Sequence, residues 1–543
     1  MTIDTRTRPA RGAHSTPTRV RPILILTVVL VAALAINVET TIVNVALPTM
    51  NSALGASTRG LQWIVDAYNL AFAALVLAGG TIGDKFGRRG TLVVGLALFA
   101  ASSMGAALCT STGSLIGMRL VMGISAALIY PTTLAIITDT FRDPKQRAAA
   151  IGVWGAVTGL GVAIGPILGG ALLETFWWGS LFLALAPIAL VAVLGAVVVV
   201  PRSTTMPGAQ LDRGGLLLSV VMLGTLVYTI IEAPDRGWTE NRTLLGFGAA
   251  LVAAVAFVWW ERRQRDPLID VSLFTNLRFS AASGAVTVSF FTLFGFIFLI
   301  TQYFQFLRNY SPLSTGVHLL PVATAVAIGS VAGTQAAVRA GTKTIVTGGL
   351  LLIAVFYFWA AATTSTTLSY GIISIQMVVY GLGLGLTSAP ATESIMGAIA
   401  ARTAGVGSAV NDTTRLVGGT LGVAVIGSVY ASLYQHRLGG LLGAGVPGGL
   451  VRTSQQSVSA GFAVAQHLTA SGHTALGQVV SVTTTNAFLH GLQVGSVVLA
   501  AVALAGAVAA AALLPSRPPE PAVPGDLARP VREPASLTPE GTP

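Results

Sequence analysis

The sequence predicts an all-α integral membrane protein with fourteen spanning helices, arranged as two six-helix bundles with two helices inserted between them. Three observations carry this expectation. Of 543 residues, 53% are hydrophobic and only 9% charged, against roughly 25% charged in a soluble domain, so lipid rather than water must solvate the outer face. Fourteen apolar runs approach or exceed the roughly 20 residues that cross a bilayer as helix. Basic residues concentrate in alternate loops, as the positive-inside rule requires.

The runs span residues 23–48, 60–82, 91–110, 114–138, 148–172, 180–200, 214–233, 243–260, 279–303, 315–338, 344–362, 369–393, 404–430 and 487–514. They are continuous, whereas barrel strands would alternate polar and apolar in pieces of about 10. The domains that follow are a cytoplasmic tail (1–22), a first bundle (23–200), two inserted helices (201–260), a cytoplasmic linker (261–278) and a second bundle (279–514). Residues 431–486, rich in Gly, Ser, Thr and Gln, read as an extracytoplasmic loop. The proline-rich 515–543 read as a disordered cytoplasmic tail.

With the N-terminus placed in the cytoplasm, 23 of the 31 Lys and Arg residues fall on the cytoplasmic side. The outside keeps only Arg59, Arg236, Arg242, Arg308, Arg437 and Arg452, and Arg119 and Arg415 lie within spans. Removing one helix midway would scramble this pattern, so both termini are expected in the cytoplasm. The net charge of +11 is therefore topogenic and not a nucleic-acid footprint, which needs a clustered basic face. The lone Cys109 and six scattered His residues give neither an intrachain disulfide nor a metal-ligand pattern. No nucleotide loop, GxSxG or metal-ligand cluster suggests an enzyme, and no cofactor is expected. The first apolar run is too long for a signal-peptide core and reads as a span.

Ionisable residues inside spans are expensive and are the first functional candidates. Here they are Glu39, Asp66, Arg119, Asp412 and Arg415, with Glu232 and Glu393 near span ends. Arg119 needs a partner facing the bundle interior, whether structural or functional. Asp412 and Arg415, three apart, can pair on one helix face or contact a substrate. Trp63, Tyr68 and Phe72 either pack or offer ring faces to a cation. The loop after the second span reads Gly80-Thr-Ile-Gly83-Asp84-Lys85-Phe-Gly87-Arg88-Arg89. Its glycines permit a tight reversal, and Asp84 can cap a helix or pair with an arginine. The fifth span carries Gly152, then Gly161, Gly165, Pro166, Gly169 and Gly170. Glycines every four residues make a smooth helix face, and Pro166 removes a backbone donor and bends the helix.

These residues resemble the major facilitator superfamily. The Gly80–Arg89 loop looks like its signature loop, and the fifth-span pattern looks like the motif of its proton-driven exporters. Glu39-Thr-Thr-Ile-Val-Asn44-Val-Ala-Leu-Pro48, Leu61-Gln-Trp63-Ile-Val-Asp66-Ala-Tyr68 and Ala409-Val-Asn-Asp412-Thr-Thr-Arg415 resemble the fourteen-helix drug:proton antiporter branch. That branch usually carries aspartate at Glu39 and glutamine at Met122. The resemblance implies the major facilitator fold, a bacterial inner-membrane location, a small-molecule substrate, protons as the coupling ion, and rocking of the two bundles about a central cavity. It also implies that Asp84 and its arginines clasp the cytoplasmic side when the cavity faces outward, and that the glycine-rich fifth helix packs between bundles. A monomer in contact with lipid, without nucleic acid, is expected.

Glu39 and Asp66 are expected to carry protons and attract a cation, with Arg119 tuning them. Burial disfavours the charged form of a carboxylate, and a bound cation then competes with the proton. Asn44, Trp63, Tyr68, Asp412 and Arg415 are candidates for the substrate cavity. Competing readings are a dedicated exporter of one endogenous metabolite or lipid, and a non-transporting sensor or scaffold, although a scaffold has no need of buried charges.

Overall fold

A computed structural model describes residues 20–202, 211–265, 267–398 and 404–515. Most of both expected tails, residues 203–210 and Arg402 lie outside the described residues. The helices are α1 (Val20–Leu54), α2 (Thr58–Phe86), α3 (Arg88–Ala107), α4 (Thr112–Thr140), α5 (Pro144–Thr175), α6 (Ser180–Val199), α7 (Arg213–Arg236), α8 (Asn241–Glu261) and α9 (Leu277–Gln302). They continue with α10 (Pro312–His318), α11 (Leu320–Ala340), α12 (Thr342–Thr363), α13 (Tyr370–Gly397), α14 (Ala404–Gly439), α15 (Gly448–Gln456), α16 (Val458–Ala470) and α17 (Thr474–Leu513). Among the described residues, fourteen segments are long and apolar enough to cross a membrane. One combines α10 and α11, and each expected run corresponds to one segment. Highly exposed apolar side chains such as Val198 (78%) and Val338 (81%) fit a lipid-facing surface.

Several helices start earlier than the apolar runs because caps, not hydropathy, set their ends. Ser57 accepts from the Gly60 amide, Ser111 from Ser114, and Asp143 from Lys145 and Gln146. The tenth span is interrupted at Leu319, just before Pro321, which lacks the amide a continuous helix would use. The expected 431–486 loop is helical in large part. α14 runs on to Gly439, and α17 already starts at Thr474. In α16 the buried residues Val458, Gly461, Val464, Ala465 and Leu468 recur at the three-and-four spacing of an amphipathic helix. The polar composition of the segment hid that period.

The first bundle is α1–α6, and the second is α9–α14 with α17. Glycines decide the close approaches inside them. A Cβ on Gly123 of α4 would collide with the Tyr68 carbonyl of α2, and one on Gly79 of α2 with the Ala127 carbonyl of α4. Inserted helix α7 lies against α2 and α14 together. Val227, Ile230 and Ile231 cluster with Ala424, Leu223 clusters with Ala73 and Ala74, and Ser219 donates to the Ala74 carbonyl at 3.3 Å.

Contacts between the bundles cluster at the end carrying the α1–α2 turn. Gln305 donates to the Val45 carbonyl (2.8 Å), Thr58 to the Gln456 carbonyl (3.3 Å), and the Leu313 amide to Glu174 (3.3 Å). Ser459 bonds Asn51. Gly170 abuts Pro312, and Gly316 abuts Pro166. Towards the other end, Gly152, Gly155 and Gly159 of α5 face open space. Gly152 and Gly159 share the helix face of Gly170 to within about 20° at 100° per residue. The α5 face that touches α10 at one end is therefore uncovered at the other.

Candidate functional site

The first bundle encloses a charged centre. Glu39 of α1 and Arg119 of α4 are almost wholly buried (0% and 1% exposed) and form an ion pair through Glu39 Oε1 and Arg119 Nη1. Arg119 Nε donates to the Ile64 carbonyl of α2 at 2.7 Å. Its guanidinium lies 4.5 Å from the centre of the Tyr68 ring, while the Tyr68 hydroxyl donates to the Ile36 carbonyl at 3.2 Å. Three helices thus fix one cation. Buried pairs of this kind stand only when the remaining hydrogen-bonding capacity is also met. Glu39 falls short, because its Oε2 has no partner.

Asp66 differs in kind. It is fully buried, and neither carboxyl oxygen has a hydrogen-bond partner. Asn69, one turn further along α2, is buried with both amide atoms unpartnered, as are Asn44 Oδ1 and Gln62 Oε1. An unmet buried polar group costs about 1–3 kcal/mol. These unmet groups lie on α1 and α2. Met122, where the related branch carries glutamine, is fully buried and apolar.

The other candidates divide. Tyr68 is spent on Arg119. Asn44 Nδ2 donates within its own helix to the Thr40 carbonyl at 3.3 Å. Trp63 packs towards α7, 6.1 Å from the Tyr228 ring. Arg415 donates to Thr392 (3.1 Å), which itself donates to Asn411 (3.1 Å), and it lies 5.2 Å from the Phe290 ring. Glu232 pairs with Arg59 at 3.1 Å, and Glu393 is exposed. Sequence reading missed Asn69 and Gln62, although both stand on the same helix as Asp66 at helical spacing. Among the described residues no three His, Cys, Asp or Glu side chains converge as a metal site would need.

The loop and glycine motifs are ordered within the first bundle. Arg88 contacts Asp84 (2.8 Å), Asp139 (2.5 Å) and the Ala135 carbonyl (3.0 Å), tying α3 to α2 and α4. Arg89 donates to the Val197 carbonyl. Gly161, Gly165 and Gly169 pack on α1 rather than between bundles, and the Thr41 hydroxyl donates to the Val162 carbonyl at 3.2 Å. Gly170 and Pro166 are the part of the motif that meets the second bundle.

The Major Facilitator Superfamily profile matches residues 28–423. The chain belongs to the Major Facilitator Superfamily. This transporter is 33% identical over 397 residues to the multidrug resistance protein Stp of Mycobacterium tuberculosis, covering 73% of this chain and 74% of that one. It is 32% identical to the multidrug efflux pump LfrA of Mycolicibacterium smegmatis (85% and 91% covered). It is also 32% identical to the tetracenomycin C resistance and export protein of Streptomyces glaucescens (80% of each). Its fold matches a crystal structure of a bacterial homologue of the human lysosomal transporter Spinster, inward-facing and occupied, with TM-score 0.61 at 17% identity over 92% and 98% of the two chains. It is a membrane transporter and not an enzyme, with multiple spans in the bacterial inner membrane.

Proposed function

We propose that this transporter exports lipophilic, often cationic drugs in exchange for protons, as a monomer with both termini in the cytoplasm. The observation that carries the reading is Asp66, a carboxyl buried without any partner in the same bundle as a carboxyl, Glu39, already committed to Arg119. An uncompensated charge is not tolerated there. Asp66 is therefore neutralised either by a proton or by a bound cation, and that alternative is the elementary step of exchange. Asn69, with both amide atoms unpartnered, and Gln62, whose Oε1 is unpartnered, stand one turn to either side of it on α2 and leave bonding capacity for substrate or water. Relatives named for multidrug resistance and efflux support the substrate class.

The energetics limit the coupling. A hundredfold substrate gradient costs about 2.8 kcal/mol, and one charge crossing 100 mV is worth about 2.3 kcal/mol. A one-for-one swap of a proton and a monovalent cation moves no net charge and draws only on the pH difference. Protons on both Glu39 and Asp66 would recruit the membrane potential. The contacts between bundles at the α1–α2 turn support a closed outer side in this orientation, with substrate loading from the cytoplasm.

The test is ethidium uptake into inverted membrane vesicles energised acid inside. The parent protein accumulates ethidium, a protonophore abolishes the accumulation, and Asp66→Asn lowers the rate at least about tenfold, the worth of roughly one charge-assisted contact. Uptake that ignores the protonophore, or an Asp66→Asn protein at the parent rate, overturns the proposal.

A further inference from the structure

The inserted helix α7 bridges the two bundles in two tiers at the closed end. In the exposed tier, Arg59 at the start of α2 reaches Glu232 (3.1 Å) and Asp235 (2.8 Å) on α7. Gln435 of α14 donates to that same Asp235 at 2.9 Å. One carboxylate thus holds a residue from each bundle. Beside it, Trp238 Nε1, just past the end of α7, donates to the Ser432 hydroxyl of α14 at 3.0 Å. In the buried tier, Gln62 Nε2 of α2 donates to the Ala424 carbonyl (3.1 Å) and the Ser428 hydroxyl (3.2 Å) of α14. The Ser428 hydroxyl in turn donates to the Ile230 carbonyl of α7 at 2.8 Å. Space for the Gln62 amide exists because residue 427 is glycine: a Cβ there would meet it.

From this arrangement we infer that α7 is the third member of an outer lock, and that Gln62 and Asp235 are positioning residues that set the balance between the inward-open and outward-open states. Opening at this end requires α2 and α14 to part, and each tier has partners on both. Packing against lipid would not call for this chemistry, since the apolar stripe of Val227, Ile230 and Ile231 already seats α7 on the bundles. The polar bridges add what the stripe lacks, a contact that breaks at a defined separation. The inference depends on alternating opening and not on the coupling ion or the substrate. Its failure is therefore distinguishable from failure of the proton-exchange reading.

The experiment measures distances between spin labels at Ser52 and Thr367, exposed positions on the two bundles at the closed end, by double electron–electron resonance. The background carries Cys109→Ser, which removes the only native cysteine. Samples are full-length protein in detergent at one pH without substrate. The parent shows a dominant short distance. Asp235→Ala raises the ratio of long to short populations about threefold, the range of an exposed ion pair. Gln62→Leu raises it about tenfold, as loss of a buried hydrogen-bonded bridge implies. Arg59→Asp alone opens the end, and combining it with Asp235→Arg restores the short distance, which a folding defect would not do. Distributions unchanged by both Asp235→Ala and Gln62→Leu overturn the inference. A response to Gln62→Leu alone overturns the role given to α7.

Discussion

Replacing Glu39 by glutamine removes one charge from a buried pair while nearly preserving shape. In the parent, Arg119 is held by the Glu39 carboxylate, the Ile64 carbonyl and the Tyr68 ring. Glu39→Gln leaves the carbonyl and the ring and converts the charged acceptor to a neutral one. Breaking a buried pair by removing one partner costs about 3–5 kcal/mol, and the amide oxygen of glutamine returns about 1 kcal/mol as an ordinary hydrogen bond. The expected net loss is about 2–4 kcal/mol. Arg119→Met with Glu39→Gln removes the stranded cation, so the double variant should be more stable than Glu39→Gln alone, with a coupling energy of about 2 kcal/mol or more. Unfolding in mixed micelles gives the stabilities, and proton-driven ethidium uptake gives the function. Both variants should lose coupled uptake, because neither retains a carboxyl at position 39. Equal stability of Glu39→Gln and the parent would refute the energetic argument. Coupled uptake by Glu39→Gln at the parent rate would remove Glu39 from the exchange.

Two further outcomes test the scaffold. Gly165→Leu places a side chain into Thr41 and the Val38–Ile42 backbone of α1 and should cost about 1–3 kcal/mol by overpacking. Gly159→Leu points into open space and should be nearly neutral in the same unfolding measurement. Arg88→Ala loses bonds to Asp84, Asp139 and the Ala135 carbonyl. With Asp139 58% exposed each ion pair is worth at most about 1 kcal/mol, so hydrogen exchange across the α2–α3 turn should accelerate about 5- to 20-fold.

Helix number and the residues of the charged centre were legible because the bilayer penalises exceptions so heavily. An arginine inside an apolar run must face inward and find an acid, and Glu39 is the acid that α1 offers. What stayed hidden was which neighbour each side chain meets. Trp63 sits beside Asp66 on the same helix but looks towards α7. Asp412 and Arg415 have the spacing of a pair, and Arg415 also reaches Thr392 on another helix. Sequence spacing fixes a face of one helix, and only the packing angle between helices decides what covers that face. The 431–486 segment failed for a different reason. Its Gly, Ser, Thr and Gln content masked a short amphipathic period whose apolar side docks on protein rather than lipid.

The position of the acid relative to the lock follows from one uninterrupted helix. Arg59, Gln62, Asp66 and Asn69 fall within an arc of about 80° on α2 at 100° per residue, and they point the lock and the unpartnered carboxyl the same way. Helices α1, α4, α5 and α13 each contain a proline, at Pro48, Pro131, Pro166 and Pro390, where a helix can bend. Between Leu61 and Ala78, α2 contains neither proline nor glycine. A displacement imposed at Asp66 by a proton or a cation therefore reaches Gln62, one turn away, without a hinge to absorb it. Beyond Ala78 the helix runs through Gly79, Gly80 and Gly83 before it reaches Asp84 at the far end, a length of about 44 Å for its 29 residues. A proline placed at Ala71 would kink the helix and separate the two ends mechanically. Uptake should then fail even though the Glu39–Arg119 pair remains intact, and uptake at the parent rate would show that α2 is not the element that joins them.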